Sequence, residues 1–243
     1  VYPGEQLVAI HKGRNGLYWM GMQGKGVCSI DPSGNMFDVD FQQDVSLRHG
    51  TTSCRSLLVD QQGKIYEGLA TTGFIVRDTA TGEFISWKDM PEFRQDVTMS
   101  TIESMIQSRR DGHIWMACLS MYILEFDPEA PVGHRATKYS VYSCPWLTSA
   151  FIYSIMEDHN ANLWFGGAGN LSRKGADGSV LLLDTVHISD QRTIYDLTIY
   201  SMDEDGEGNI WLATQRDGLV RVSETEGVWR AQADNWTNGR LQA

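Results

Sequence analysis

An all-β fold, made from one four-stranded unit used five times, is what this chain of 243 residues predicts. The first observation is a phrase that keeps returning: Gly16-Leu-Tyr-Trp-Met-Gly21, Gly63-Lys-Ile-Tyr-Glu-Gly68, Gly112-His-Ile-Trp-Met-Ala117, Ala161-Asn-Leu-Trp-Phe-Gly166 and Gly208-Asn-Ile-Trp-Leu-Ala213. Its pattern is small, any, apolar, aromatic, any, small. The second observation is the spacing. The aromatic position falls at Trp19, Tyr66, Trp115, Trp164 and Trp211, at intervals of 47, 49, 49 and 47 residues. A period that regular across a whole chain marks one supersecondary unit repeated. The third is that each copy breaks into short apolar or β-branched segments parted by turn residues, the signature of antiparallel strands.

Within one copy the strands, called A to D, follow in order. In the fourth repeat A is Tyr153-Ser-Ile-Met-Glu-Asp158, B is Leu163-Trp-Phe-Gly166, C is Gly169-Asn-Leu-Ser-Arg173 and D is Asp177-Gly-Ser-Val-Leu-Leu182. Tight A–B hairpins are marked by Asn15-Gly16, Gln62-Gly63, Asp111-Gly112, Asn160-Ala161 and Glu207-Gly208, with the small residue suited to positive φ. Ala161 is the exception, and its turn is expected to differ. C–D turns fall at Asp31-Pro-Ser-Gly34, Thr79-Ala-Thr-Gly82, Ala176-Asp-Gly178 and Glu224-Thr-Glu-Gly227, while the third copy has the stiffer Asp127-Pro-Glu-Ala-Pro131. A four-stranded unit cannot bury both faces alone, and stacking such units as blades around an axis suits about 40–50 residues per unit. The expected architecture is therefore a β-propeller of five four-stranded antiparallel blades, either a closed five-bladed ring or part of a larger one. It forms a single domain, 1–243, with repeats at about 6–48, 49–98, 99–146, 147–193 and 194–243. The strand-B aromatic should lie between neighbouring blades, so Trp164→Ala and Trp211→Ala are each expected to cost about 3–5 kcal/mol.

Composition narrows the partners. With 42% hydrophobic residues the chain can bury a full core, and its net charge of −11 has no compensating Lys/Arg stripe, which argues against nucleic acid and anionic membrane. No window approaches the roughly 18 apolar residues of a spanning helix, and no basic-plus-apolar leader is present. The chain begins at Val1, so the expectation is a piece of a longer protein, with membrane attachment only through segments outside it. Cys28, Cys54, Cys118 and Cys144 permit two disulfides by three connectivities. They do not recur at equivalent repeat positions, and buried free thiols are the expectation. No CxxC or Cys/His spacing points to a metal, and neither a metal nor a cofactor is expected.

Enzyme readings fare poorly. A sialidase Asp box sets its Asp two residues before the turn Gly, whereas Asp60, Asp158 and Asp205 stand three before Gly63, Ala161 and Gly208. Asp203, Asp205 and Glu207 alternate beside a Gly without completing a calcium loop. Streptogramin-lyase propellers carry similar Gly-x-Ile-Trp phrases but follow the Trp with Thr-Glu, where this chain has Phe-Gly and Leu-Ala. His11, His49, His113, His134, His159 and His187 are scattered and read as loop histidines. Gly166-Gly-Ala-Gly169 joins two strands rather than opening a phosphate-binding helix. No catalytic residue is assigned, and the chain itself is expected not to be an enzyme.

Glu157-Asp-His-Asn-Ala-Asn-Leu-Trp-Phe-Gly166 and the stretch from Met202 to Arg221, including Asp217-Gly-Leu-Val-Arg221, resemble the two-component regulator propeller repeat of Bacteroidetes hybrid sensors. The first three copies are degenerate: Tyr66 replaces Trp, Gly26-Val-Cys28 replaces Gly-Leu, and Met121-Tyr-Ile123 lacks Gly. The resemblance implies a periplasmic or extracellular sensor for an oligosaccharide or similar small polar ligand, joined outside this chain to a β-sandwich, a membrane helix and a histidine kinase. It also implies seven blades, where five are visible. Ligands of propellers meet the B–C and D–A loops, and a sugar needs an aromatic ring with planar donors beside it. On those loops Trp146, Arg216, Asn170, Arg192, Arg55 and Tyr195 fit. The alternative is a protein-interaction platform whose output is a homodimer.

Overall fold

The computed structural model describes residues 6–13, 16–23, 26–32, 36–38, 53–96 and 99–234. Asn15, Gly34 and His49 lie outside that set. Five four-stranded sheets follow one another along the chain, each with its strands side by side in sequence order. They are β1 (Leu7–Lys12), β2 (Tyr18–Met22), β3 (Gly26–Asp31) and β4 (Met36–Asp38); then β5 (Cys54–Val59), β6 (Ile65–Leu69), β7 (Gly73–Arg77) and β8 (Phe84–Ser86); then β9 (Ile102–Gln107), β10 (Ile114–Cys118), β11 (Tyr122–Phe126) and β12 (Ala136–Tyr139). The fourth sheet holds β13 (Ile152–Glu157), β14 (Leu163–Gly167), β15 (Asn170–Lys174) and β16 (Val180–Leu182). A small hairpin, β17 (His187–Ser189) and β18 (Arg192–Thr193), precedes the fifth sheet of β19 (Ile199–Glu204), β20 (Ile210–Thr214), β21 (Leu219–Thr225) and β22 (Val228–Asp234). Among the described residues no helix is long and apolar enough to cross a membrane. The chain divides into two compact units: Val1–Gln107 with Gly112–Lys138, which holds the first three sheets, and Ser108–Asp111 with Tyr139–Ala243, which holds the last two and the hairpin.

Each position of the repeated phrase has a physical task. Its opening small residue takes the left-handed conformation of the A–B hairpin: Gly63 and Gly208 at φ 85° and Ala161 at φ 61°. The expectation that the Ala161 turn differs is overturned. Asp158 N–H bonds Asn162 O at 2.9 Å and Ala161 N–H bonds Asp158 O at 3.0 Å, the same pair as Asp60/Lys64 with Gly63/Asp60. The cause is the aspartate that opens the turn. Asp158 Oδ1 accepts the N–H groups of Asn160 and Asn162 at 3.0 and 2.9 Å, and Oδ2 accepts Asn162 Nδ2 at 2.9 Å and the Trp164 indole N–H at 2.8 Å. Asp205 does the same for Glu207, Asn209 and Trp211. Hydrogen bonds from Asn209 and Trp211 hold the Asp205 carboxyl well below the usual carboxylate range. The carboxylate in the wrong register for an Asp box is the staple of its own hairpin.

The first repeat lacks that staple. Gly13 stands six residues before Trp19 and closes the same turn, with Gly13 N–H on Leu17 O at 2.8 Å and Gly16 N–H on Gly13 O at 3.1 Å. The Trp19 indole N–H is buried with no hydrogen-bond partner among the described residues. An unsatisfied buried donor costs about 1–3 kcal/mol. Gly13→Asp is therefore expected to raise stability by about 1 kcal/mol or more, read as a higher urea midpoint with an unchanged slope. A lower midpoint would show that the staple does not transfer.

The phrase closes on a small residue because the next repeat docks there. A Cβ on Gly68 would fall 2.8 Å from Ile102 Cβ, one on Gly166 would fall 2.9 Å from Ile199 Cγ2, and one on Gly21 would fall 2.7 Å from Cys54 Sγ. The neighbour is each time the first residue of the following strand A. The aromatic between the two small residues packs the same way. Trp19 clusters with Cys54, Leu57 and Ile65, Tyr66 with Ile102, Met105 and Ile114, and Trp164 with Ile199, Met202 and Ile210. Trp19, Tyr66, Trp115 and Trp164 are all buried. Trp211 is only half-buried, so of the two expected Trp→Ala losses only the one at Trp164 keeps its full size.

A second device joins successive turns. The last side chain of strand A accepts a backbone N–H from the turn of the preceding repeat: Gln107 from Gln61 at 2.9 Å, Glu157 from Arg109 at 2.9 Å and Glu204 from His159 at 2.7 Å. His159 Nδ1 also faces the Glu204 carboxylate, and His113 Nδ1 lies 2.8 Å from Glu125. In the second repeat the position is Val59, which has no side-chain acceptor. All four cysteines are free thiols and buried, as the sequence led one to expect.

Candidate ligand-binding face

Strand A begins, and strand B ends, at the end of each sheet opposite the A–B turns. At this end every strand A carries a bulge at one position. The A–B ladder skips a residue between Leu7 and Ala9, Cys54 and Ser56, Ile152 and Ser154, and Ile199 and Ser201, while in the third sheet Cys118 pairs Ile102 and Ala117 pairs Ser104. The residues passed over are Val8, Arg55, Glu103, Tyr153 and Tyr200. A bulge leaves its extra residue out of the pairing and turns it away from the ladder. In the first unit the bulge residues of adjacent sheets form an ion pair, Arg55 Nε to Glu103 Oε2 at 2.9 Å. In the second unit they form a ring pair, Tyr153 and Tyr200, with centroids 5.2 Å apart and planes tilted 52°.

The six residues expected to bind ligand divide sharply. Trp146 is 8% exposed, its ring packed 5.1 Å from Phe165 and 5.9 Å from Tyr139. Asn170 is fully buried and holds main chain: its Nδ2 donates to Phe165 O at 2.9 Å and its Oδ1 accepts Thr148 N–H at 2.9 Å. These two are corrections, since neither side chain presents a surface to a ligand. Both look like loop residues in sequence, but Trp146 packs inward from the D–A segment and Asn170 opens β15, where its amide holds Thr148 of that segment.

The other four reach the surface. Arg216 is exposed, Tyr195 is 61% exposed, and Arg192 makes a two-pronged ion pair with Asp217, with Nη2 to Oδ2 at 2.9 Å and Nη1 also engaged. Arg192 in turn depresses the Asp217 carboxyl pKa. Backbone bonds stitch their loops together, with Ala168 N–H on Phe151 O at 2.9 Å, Gly169 N–H on Leu197 O at 2.8 Å and Gln215 N–H on Thr198 O at 2.9 Å. In the first unit Arg55 lines a cavity of about 640 Å³ together with Gln6, Val8, Gln23 and Ser53. Tyr153 and Tyr200 are the surface residues that sequence reasoning missed. The available signal was the recurring triplet of apolar residue, any residue, then Ser or Ala at the start of strand A.

Neither a protein-family model nor a curated protein matches the sequence. Solved structures do match it. The extracellular domain of a hybrid two-component system of B. thetaiotaomicron is 15% identical, matching 99% of this chain and 30% of that one with a TM-score of 0.75. The chain has the β-propeller fold. The propeller is also similar to PorZ, a surface component of the type-IX secretion system of Porphyromonas gingivalis (16% identity, 96% of this chain and 34% of that one, TM-score 0.69). A third likeness is to virginiamycin B lyase of Staphylococcus aureus (11% identity, 95% and 71%, TM-score 0.69). This propeller chain spans about a third of the length of the first two. At these identities the likeness is one of fold.

Proposed function

We propose that the chain is a single non-catalytic propeller domain of a signalling receptor, exposed to the periplasm or the cell exterior, that binds an oligosaccharide or related small polar ligand on its loop face. The observation that carries this reading is the cavity of about 640 Å³ at the strand-A end of the first unit, where Arg55, Gln6, Gln23 and Ser53 share the lining with the apolar Leu7, Val8, Cys54 and Ala70. Amides, a hydroxyl and a guanidinium are donors and acceptors suited to a polyhydroxylated neutral ligand. Arg216, Tyr195 and the Arg192–Asp217 pair offer the same chemistry at the corresponding end of the second unit. The net charge of −11 disfavours polyanions. The fold match to a two-component extracellular domain supports placing the site in a sensor.

Titration calorimetry against plant and host glycan fragments tests the reading. At least one fragment should bind with micromolar affinity, because a shallow propeller face encloses little of a sugar. Arg55→Ala or Arg216→Ala should weaken it about tenfold, the loss of one charge-assisted contact. The same panel incubated for a day should give no cleavage products, whereas turnover would favour an enzyme, a propeller lyase or glycosidase. Exposed Leu7 and Ile10 on β1 favour a second reading, an interaction platform. A dimer that forms without glycan and is broken by Ile10→Glu would support it.

A further inference from the structure

We propose that the strand-A bulge residue is the ligand-reading position of each repeat, and that Tyr153 and Tyr200 form a stacking site for the C–H face of a pyranose ring. The proposal rests on the sensor reading above and adds to it the side chains that touch the ligand. Across the five repeats the triplets around the bulge are Leu7-Val-Ala9, Cys54-Arg-Ser56, Ile102-Glu-Ser104, Ile152-Tyr-Ser154 and Ile199-Tyr-Ser201. The outer two members vary little, for reasons visible in the packing. Cys54, Ile102 and Ile199 dock on a glycine of the preceding repeat, and Ala9, Ser56, Ser104, Ser154 and Ser201 face the small residue that closes the phrase in their own. The middle member carries neither constraint. Its backbone is fixed by the bulge while its chemistry runs from aliphatic through cation and anion to aromatic.

Folding gives no reason to leave a tyrosine ring in water at such a point, yet Tyr200 is 49% exposed. Tyr153 supports one side of it at 5.2 Å. Tyr195 (61%) and Phe151 (46%) are exposed at the same end of these two sheets, and among the described residues the one exposed large aliphatic side chain there is Leu219. That composition suits ring stacking better than an aliphatic dimer face. A pyranose with axial C–H bonds on one side offers the partially positive hydrogens that the negative face of a tyrosine attracts. Hydroxyls at its edge would find Arg216 and the Arg192–Asp217 pair. The 52° tilt makes the pair a trough rather than a flat row, which suits one sugar unit rather than two in line.

Saturation-transfer NMR on the 243-residue chain with cellotetraose, xylotetraose and maltotetraose as probes tests the assignment. At least one probe should receive saturation mainly at its ring C–H protons. Tyr200→Ala and Tyr200→Gln should each weaken that probe tenfold or more, Tyr200→Trp should stay within threefold, and Val228→Ala, which trims a side chain 53% exposed at the opposite end of the fifth sheet, should leave binding unchanged. Each variant must keep the parent melting temperature, and the two ring-removing variants guard against one failing to fold. Binding within twofold of the parent in both would overturn the stacking site; if Arg216→Ala then abolished binding, the sensor reading would survive without it. A parent that binds no probe but forms a dimer broken by Tyr200→Ala would assign the rings to a second copy and overturn the proposal.

Discussion

Asp158→Ala should lower stability by about 3–5 kcal/mol in urea unfolding. One carboxylate, 4% exposed, receives two backbone N–H groups, the Asn162 amide and the Trp164 indole. The buried Trp164 indole N–H left without an acceptor costs about 1–3 kcal/mol, the part-buried donors of Asn160 and Asn162 add less each, and the losses do not add in full because all share one partner. The same carboxylate holds the turn that keeps Ala161 at φ 61°, a conformation that costs a residue with a Cβ about 1–2 kcal/mol. Asp158→Asn, which keeps one acceptor oxygen, should lose distinctly less. A loss below 1 kcal/mol for the alanine variant would remove the staple from the account of this fold.

Trp164→Ala should cost about 3–5 kcal/mol, the range for deleting a large buried aromatic. The ring is 1% exposed, packs edge-on to Trp229 with centroids 5.6 Å apart, and lies 5.9 Å from the Arg173 guanidinium. It joins strand B of one repeat to Ile199, Met202 and Ile210 of the next. The half-buried Trp211 is the internal control, and its alanine variant should lose about half as much or less. Equal losses at the two sites would show that contacts between repeats do not set the value. Asp158→Ala and Trp164→Ala combined should cost less than their sum, because they share a hydrogen bond.

The strand content and the hairpins were legible in the sequence because period, turn glycine and strand-B aromatic are local signals. Ala161 was misjudged for a local reason too: an alanine at positive φ looks strained until the Asp158 carboxylate is seen closing the turn. The site was harder to read. Trp146 has the composition of a sugar-stacking residue, and only the folded chain shows Tyr139 and Phe165 covering it. Asn170 looks like a free amide and is spent on Phe165 O and Thr148 N–H. Tyr153 and Tyr200 were passed over for the opposite reason. In sequence they read as ordinary alternating strand residues, and a bulge exists only as a mismatch between two paired strands.

The joint between successive turns bears on how such a chain can grow. Its acceptor is a side chain, Gln107, Glu157 or Glu204, while its donor is a main-chain N–H that every non-proline residue possesses. A gene segment duplicated in whole repeats would carry the acceptor with it and find the donor already in place, so the number of repeats can change without a compensating substitution. Where the acceptor has drifted to Val59, that freedom is lost. A copy inserted at that point would inherit a seam without this side-chain joint.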